Sequence, residues 1–185
     1  MLKTSVKWIL MKAAAAVVAL AVVVSLTPAT ARAQVTAHVS FTQQDAIQEF
    51  NVITGQGYQI GTATGSISGT TFVDFQLAVV GPPIGDVIPI TFHNKVIITD
   101  LDGDQLFFDN DGSGSLHLGV PGAAFQGLGG PMVGTYILTN ATGKYSRWKT
   151  GSTFDYRAVW TNPPAPPQRL GTVYVEVTSK HRLKY

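Results

Sequence analysis

Between Ser66 and Val80 the side chains alternate. Val73, Phe75, Leu77 and Val79 point one way, and Phe72, Asp74, Gln76 and Ala78 point the other. A period of two belongs to a strand, not a helix. Both sets carry apolar residues, as in a strand covered on both faces or lining a filled barrel. The same habit governs nearly everything after Gln34, where Val, Ile, Thr, Phe and Tyr dominate and turn residues recur at short intervals.

Strands are expected over Ala37–Phe41, Tyr58–Thr64, Ser66–Val80, Ile88–Thr99, Gln105–Phe108, Ser113–Leu118, Met132–Asn140, Ser152–Thr161 and Thr172–Thr178. Thr42–Phe50 is the segment with a helical option, Thr42 capping a turn that holds Asp45. Gly81–Gly85 contains two prolines and reads as a loop, because proline cannot continue a central strand. Asp102-Gly103 carries the signature of a tight hairpin. Gly119–Pro131, rich in glycine, is expected as a loop, and Asn162–Pro167 (NPPAPP) as a stiff polyproline-like connector. The pattern predicts an all-β, antiparallel fold of about eight to ten strands. A sandwich and a closed β-barrel both fit. Closure removes exposed edges and in-strand glycines suit barrel corners, so the closed barrel is preferred.

The first 33 residues read as an address. Lys3, Lys7 and Lys12 precede an apolar run over Ala13–Leu26, and Ala31-Arg32-Ala33 fits a small-x-small cleavage site. The run is short for a membrane span of about 20 residues. The expectation is a signal peptide over 1–33, removal of it, and one domain over 34–185 in the periplasm or outside the cell, with no stable membrane span left. The lost segment takes four of the 13 Lys and Arg, leaving nine against 11 Asp and Glu, a net charge of −2. That balance does not support nucleic acid as a partner. Lys180, His181, Arg182 and Lys184 are expected as a frayed, solvated end. With no cysteine in the chain, disulfides, thiol nucleophiles and Cys-based metal sites are excluded.

No catalytic motif stands out. Gly112-Ser113-Gly114-Ser115 lacks the strand-to-helix context of a nucleophile elbow, and Gly55-Gln56-Gly57 is not followed by a helix. His38, His93, His117 and His181 are scattered without metal-ligand spacing. Asp100, Asp102, Asp104, Asp109 and Asp111 crowd one hairpin and could supply oxygens to calcium. The EF-hand pattern fails, however, at Gln105, where glycine is required, and at Asp111, where a bidentate Glu is required. Asp is also favoured at turns for its own sake.

Aromatic residues alternate on the later strands. Phe154, Tyr156 and Trp160 share one face and Asp155, Arg157 and Val159 the other; Tyr136 pairs with Leu138, and Tyr174 with Glu176. One interpretation is a filled core under a solvated wall. The other is a lumen whose ligand-binding groups are Asp74, Tyr136, Arg157, Tyr174 and Glu176, suited to a small apolar molecule. Alternation alone does not decide which face is inside.

From Gly134 to Arg157 the chain reads GTYILTNATGKYSRWKTGSTFDYR, two strands joined by a glycine-punctuated crossing. Thr142-Gly143-Lys144-Tyr145, with Gly151 opening the next strand, resembles the allene oxide cyclase and dirigent barrel superfamily. The Asp102–Leu106 hairpin resembles the strand pair that precedes this element in secreted bacterial members. The likeness covers about Ser66 to Val177, most of the expected domain. It implies an eight-stranded antiparallel barrel with an apolar lumen and no cofactor, often a homo-oligomer. Family members cyclise an unsaturated epoxide, steer phenoxy-radical coupling or cyclise polyketides, chiefly by holding a reactive molecule in one shape. No family catalytic residue maps onto this chain, and fold alone does not carry function. Three expectations follow: a lumen that binds a small apolar ligand, with cyclase-like steering in reach; a structural or interaction barrel of the envelope or extracellular space; and calcium binding at the acidic hairpin.

Overall fold

A computed structural model describes residues 36–51, 53–117, 128–161 and 171–184. The expected signal peptide, residues 119–127 of the expected Gly119–Pro131 loop and the connector 162–167 lie outside the described residues; residues 128–131 of that loop are strand instead. Ten strands follow in order: β1 (Thr36–Ala37), β2 (Ser40–Asn51), β3 (Gln56–Gly65), β4 (Gly69–Val79), β5 (Val87–Asp100), β6 (Gln105–His117), β7 (Leu128–Ala141), β8 (Thr153–Thr161), β9 (Thr172–Ser179) and β10 (Leu183–Lys184). One 3-10 turn, Gly143–Tyr145, lies between β7 and β8. Strands β2 to β9 close into an antiparallel eight-stranded barrel, each paired with its sequence neighbour, and β9 pairs with β2. Among the described residues no helix is long and apolar enough to cross a membrane.

The helical option over Thr42–Phe50 is wrong. That segment is the middle of β2, hydrogen-bonded to β3 on one side and β9 on the other. Phe41, Gln43, Asp45 and Ile47 are buried, and Thr42 and Gln44 between them are exposed. Two waiting partners satisfy the backbone here, which outweighs a local capping signal. Gln105–Phe108 and residues 113–117 of the expected Ser113–Leu118, expected as separate strands, belong to one long β6, and residues 65–68 turn the chain before β4 begins at Gly69. The Asp102-Gly103 hairpin is present: Gly103 adopts a φ of 85° and donates to the Asp100 carbonyl.

The barrel has two chemically different halves. At the base, Phe41, Val96, Ile98, Leu106, Phe108, Leu138, Phe154 and Val177 fill the lumen. Phe108 and Phe154 meet edge-on at 5.4 Å. Each such ring, taken wholly out of water, contributes roughly 2–3 kcal/mol. The connector after β7 tucks Tyr145 and Trp148 underneath as a plug, their rings 5.2 Å apart. The tail does not fray as expected at Leu183: β10 pairs with β1, and Leu183 is buried beside the base. Toward the other end, the mouth, polar groups enter the lumen.

Candidate functional site

Strand parity carries Gln43 and Asp45 of β2, Gln59 of β3, Thr71 of β4, Asn94 of β5, Asn110 of β6 and Tyr136 of β7 into the buried interior. Such groups are expensive to bury unless paired. Tyr136 Oη donates to Gln43 Oε1 at 2.8 Å. Thr71 Oγ1 donates to Asp45 Oδ1. Gln43 Nε2, Asn94 Oδ1 and both polar atoms of Asn110 have no hydrogen-bond partner among the described residues. Burial raises the Asp45 carboxyl to about 6, and the Thr71 hydroxyl opposes part of that rise. Burial also pushes the phenols of Tyr136 and Tyr156 up, with the nearby Asp45 charge adding to both. Both phenols are therefore neutral donors at any physiological pH.

Glycines in the strands make this arrangement possible. Asp45, Gly61 and Thr71 form one cross-strand row over β2, β3 and β4. A Cβ on Gly61 would stand 2.4 Å from Asp45 Oδ1. The missing side chain lets the carboxyl reach across β3 to Thr71. A second row runs Phe92, Gly112, Gly134, Tyr156 over β5 to β8. Its two glycines leave room for the Phe92 and Tyr156 rings, whose centroids are 5.6 Å apart. Gly134, at the head of the segment that carries the family resemblance, thus provides space in the lumen.

Part of this set lines a recess that opens at the mouth. Asp45, Gln59, Asn94, Tyr136 and Tyr156 provide its polar part; Phe75, Leu77, Phe92, Met132 and Trp160 are among its apolar walls. The clear space inside is about 20 Å³, and the whole gap between lining atoms, open mouth included, is about 430 Å³. The clear space holds one water-sized group and is far short of the several hundred cubic ångströms of a small-molecule pocket; the larger figure takes in open solvent.

Of the five residues expected in the lumen, Tyr136 alone is there. Asp74, Arg157, Tyr174 and Glu176 are exposed on the outer wall. Asp74 stands opposite Lys95, which stands opposite Asp109, and Arg157 stands opposite Glu176. Cross-strand neighbours of opposite charge are comfortable in water and costly in a lumen. Arg157, Tyr174 and Glu176 do meet, with Thr42, Gln44, Thr62 and Thr64, in a shallow outer groove of about 530 Å³.

The five hairpin aspartates do not converge either. Lys144 Nζ sits 2.7 Å from Asp100 and 2.9 Å from Asp102, where a cation would have to stand. Asp104 accepts the Lys144 backbone N–H. Asp111 takes His93 at 2.7 Å on the outer wall, and Asp109 faces Lys95. Among the described residues no group of three or more His, Asp or Glu side chains is placed to hold a metal ion. Asp45, Thr71, Gln43 and Asn94 were missed by sequence reasoning; the available signal was Gly61 inside an otherwise alternating strand, which marks a close approach.

The fold and the site define a closed eight-stranded antiparallel barrel with an apolar base and a polar-headed recess. No family model, curated protein or solved structure matches the chain.

Proposed function

We propose that the protein is an exported binding barrel for a small molecule with an apolar body and a polar head. The observation that carries this is the company of Asp45: a carboxyl of raised pKa and the unpartnered Asn94 Oδ1 in a recess with aromatic and aliphatic walls. A hydroxyl or carbonyl of the guest fits the clear space beside Asp45 and Tyr136. Its apolar body lies outward against Phe75, Leu77, Phe92, Met132 and Trp160. Steering of a cyclisation, as the family resemblance implies, asks only that these walls hold one shape. Export is supported by the leader-like residues 1–33.

A neutral fluorescent hydrophobe such as N-phenyl-1-naphthylamine tests binding. Its emission rises on wild-type protein and stays low on Leu77→Trp, which narrows the recess. A second interpretation is favoured by the small clear space of about 20 Å³: a packed barrel that acts through its outer surface alone. No rise in emission with wild-type protein decides for that one.

A further inference from the structure

Among the described residues, Asp45 is a buried carboxyl without a counter-ion. It is 1% exposed, and its side chain has one hydrogen-bond partner there, the Thr71 hydroxyl on Oδ1. A carboxylate has two oxygens and room for about four hydrogen bonds. None of the ion pairs among the described residues includes Asp45. No described Lys, Arg or His lines the recess; its other titratable groups are the neutral phenols of Tyr136 and Tyr156. Residues 118–127 contain no Lys, Arg or His, and residues 162–170 contain Arg169 alone.

The recess thus wants positive charge and hydrogen-bond donors. Asn94 lines it, is 8% exposed, and its Oδ1 accepts from no described residue. Phe75, Phe92, Tyr156 and Trp160 bring rings to the same walls, and ring faces attract cations. A buried carboxylate is costly unless a charge pairs with it. An anionic head would be repelled, and a hydroxyl brings one donor and no charge. Calcium asks for six to eight oxygens, which these side chains do not gather. The clear space of about 20 Å³ excludes a trimethylammonium head and admits a group the size of a water molecule. A primary ammonium has that size, a full charge and three donors.

We infer that the recess takes the head of a primary alkylamine, its ammonium group pairing with the Asp45 carboxylate and donating to Asn94 Oδ1. The apolar body runs outward past Leu77 and Met132 to the open mouth. The inference rests on the binding proposal and names the head of its guest. It also links binding to pH. The ammonium pairs with the ionised carboxyl, so affinity rises as pH climbs through about 6 and levels off above it. By the same linkage the bound amine moves the Asp45 titration downward.

Isothermal titration calorimetry with n-hexylammonium tests this at pH 8, with hexan-1-ol and hexyltrimethylammonium at the same ionic strength as controls. Hexylammonium should bind wild-type protein about tenfold or more tightly than either control. Its affinity should fall by about tenfold or more at pH 4, and by as much at pH 8 in Asp45→Asn, whose melting curve reports that it is folded. Carboxyl NMR shifts should show the Asp45 titration lowered by hexylammonium and unmoved by hexan-1-ol. Equal binding of either control, or an affinity that Asp45→Asn leaves unchanged, would overturn the inference. Binding to Arg169→Gln but not to wild type would overturn it in favour of the chain's own arginine as the counter-ion. A rise in N-phenyl-1-naphthylamine emission without hexylammonium binding would overturn the ammonium head and leave the binding barrel standing. No response to either probe would overturn both.

Discussion

Asp45 on β2 and Thr71 on β4 share a hydrogen bond across a strand that separates them, because Gly61 on β3 places no side chain between them. A methyl group at 61 would clash with Asp45 Oδ1 and with the Gln44 carbonyl. Gly61→Ala should therefore break the bond and lower the melting temperature. The bond holds the Asp45 pKa down, so its loss moves the carboxyl titration upward. Carboxyl NMR shifts followed against pH check this; an unchanged titration would show that the two side chains do not depend on the gap.

Asp45 also sets a pH dependence. Its folded pKa, about 6, lies above the ordinary value of about 3.9. Between those values the folded state holds more protons than the unfolded one, so stability falls as pH rises and levels off above about 6. The full drop is about 3 kcal/mol, from roughly two pKa units at 1.36 kcal/mol each. Asp45→Asn removes the ionisation while keeping an oxygen for Thr71. At pH 8 it should melt on the order of 5 °C or more above wild type, with the difference gone at pH 4. Thermal melts over that range suffice, and equal melting at pH 8 would count against a strained carboxyl.

Tyr136 and Gln43 provide a second check on the polar half. Tyr136→Phe removes the donor and leaves Gln43 Oε1 buried without it. The expected cost is about 1–3 kcal/mol. With Gln43→Leu already present the same change should cost much less, giving a coupling of about 1 kcal/mol. Additive losses in urea unfolding would mean that the bond contributes nothing of its own.

The architecture was legible because alternation, Asp-Gly and in-strand glycine are backbone signals, and a barrel is built from backbone requirements. The site was legible in one residue only, Tyr136. Period two sorts side chains into faces but does not name the inner face. One clue was available: Asp155, Arg157 and Glu176 share faces with each other's cross-strand neighbours, and charges gathered on a face point it to water. Asp74 was harder to place, since its partner Lys95 becomes a neighbour only once register is fixed. Asp45 was hidden by a plausible helix cap at Thr42, a local signal that two flanking strands override.

The same limit applies to the acidic hairpin. Asp100 is buried against Lys144, which lies far along the chain. That ammonium holds the Asp100 carboxyl below its usual range, helped by the backbone N–H groups of Asp104 and Asp102. A depressed folded pKa gives stability that is fully present above the unfolded value of about 3.9 and lost as pH falls through the folded one. Lys144→Ala should lower the melting temperature at pH 7 and have progressively less effect as the pH drops below about 3.9. A loss that is the same at every pH would place the role of Lys144 elsewhere, in its contact with the Tyr145 ring.

The recess at Asp45 is tested most directly by native mass spectrometry of the protein taken from the cells that make it, wild type beside Leu77→Trp. The expected result is a non-covalent small-molecule adduct on wild-type protein that is absent from Leu77→Trp. Bare wild-type protein, or an adduct kept equally by both, would contradict a guest in the lumen.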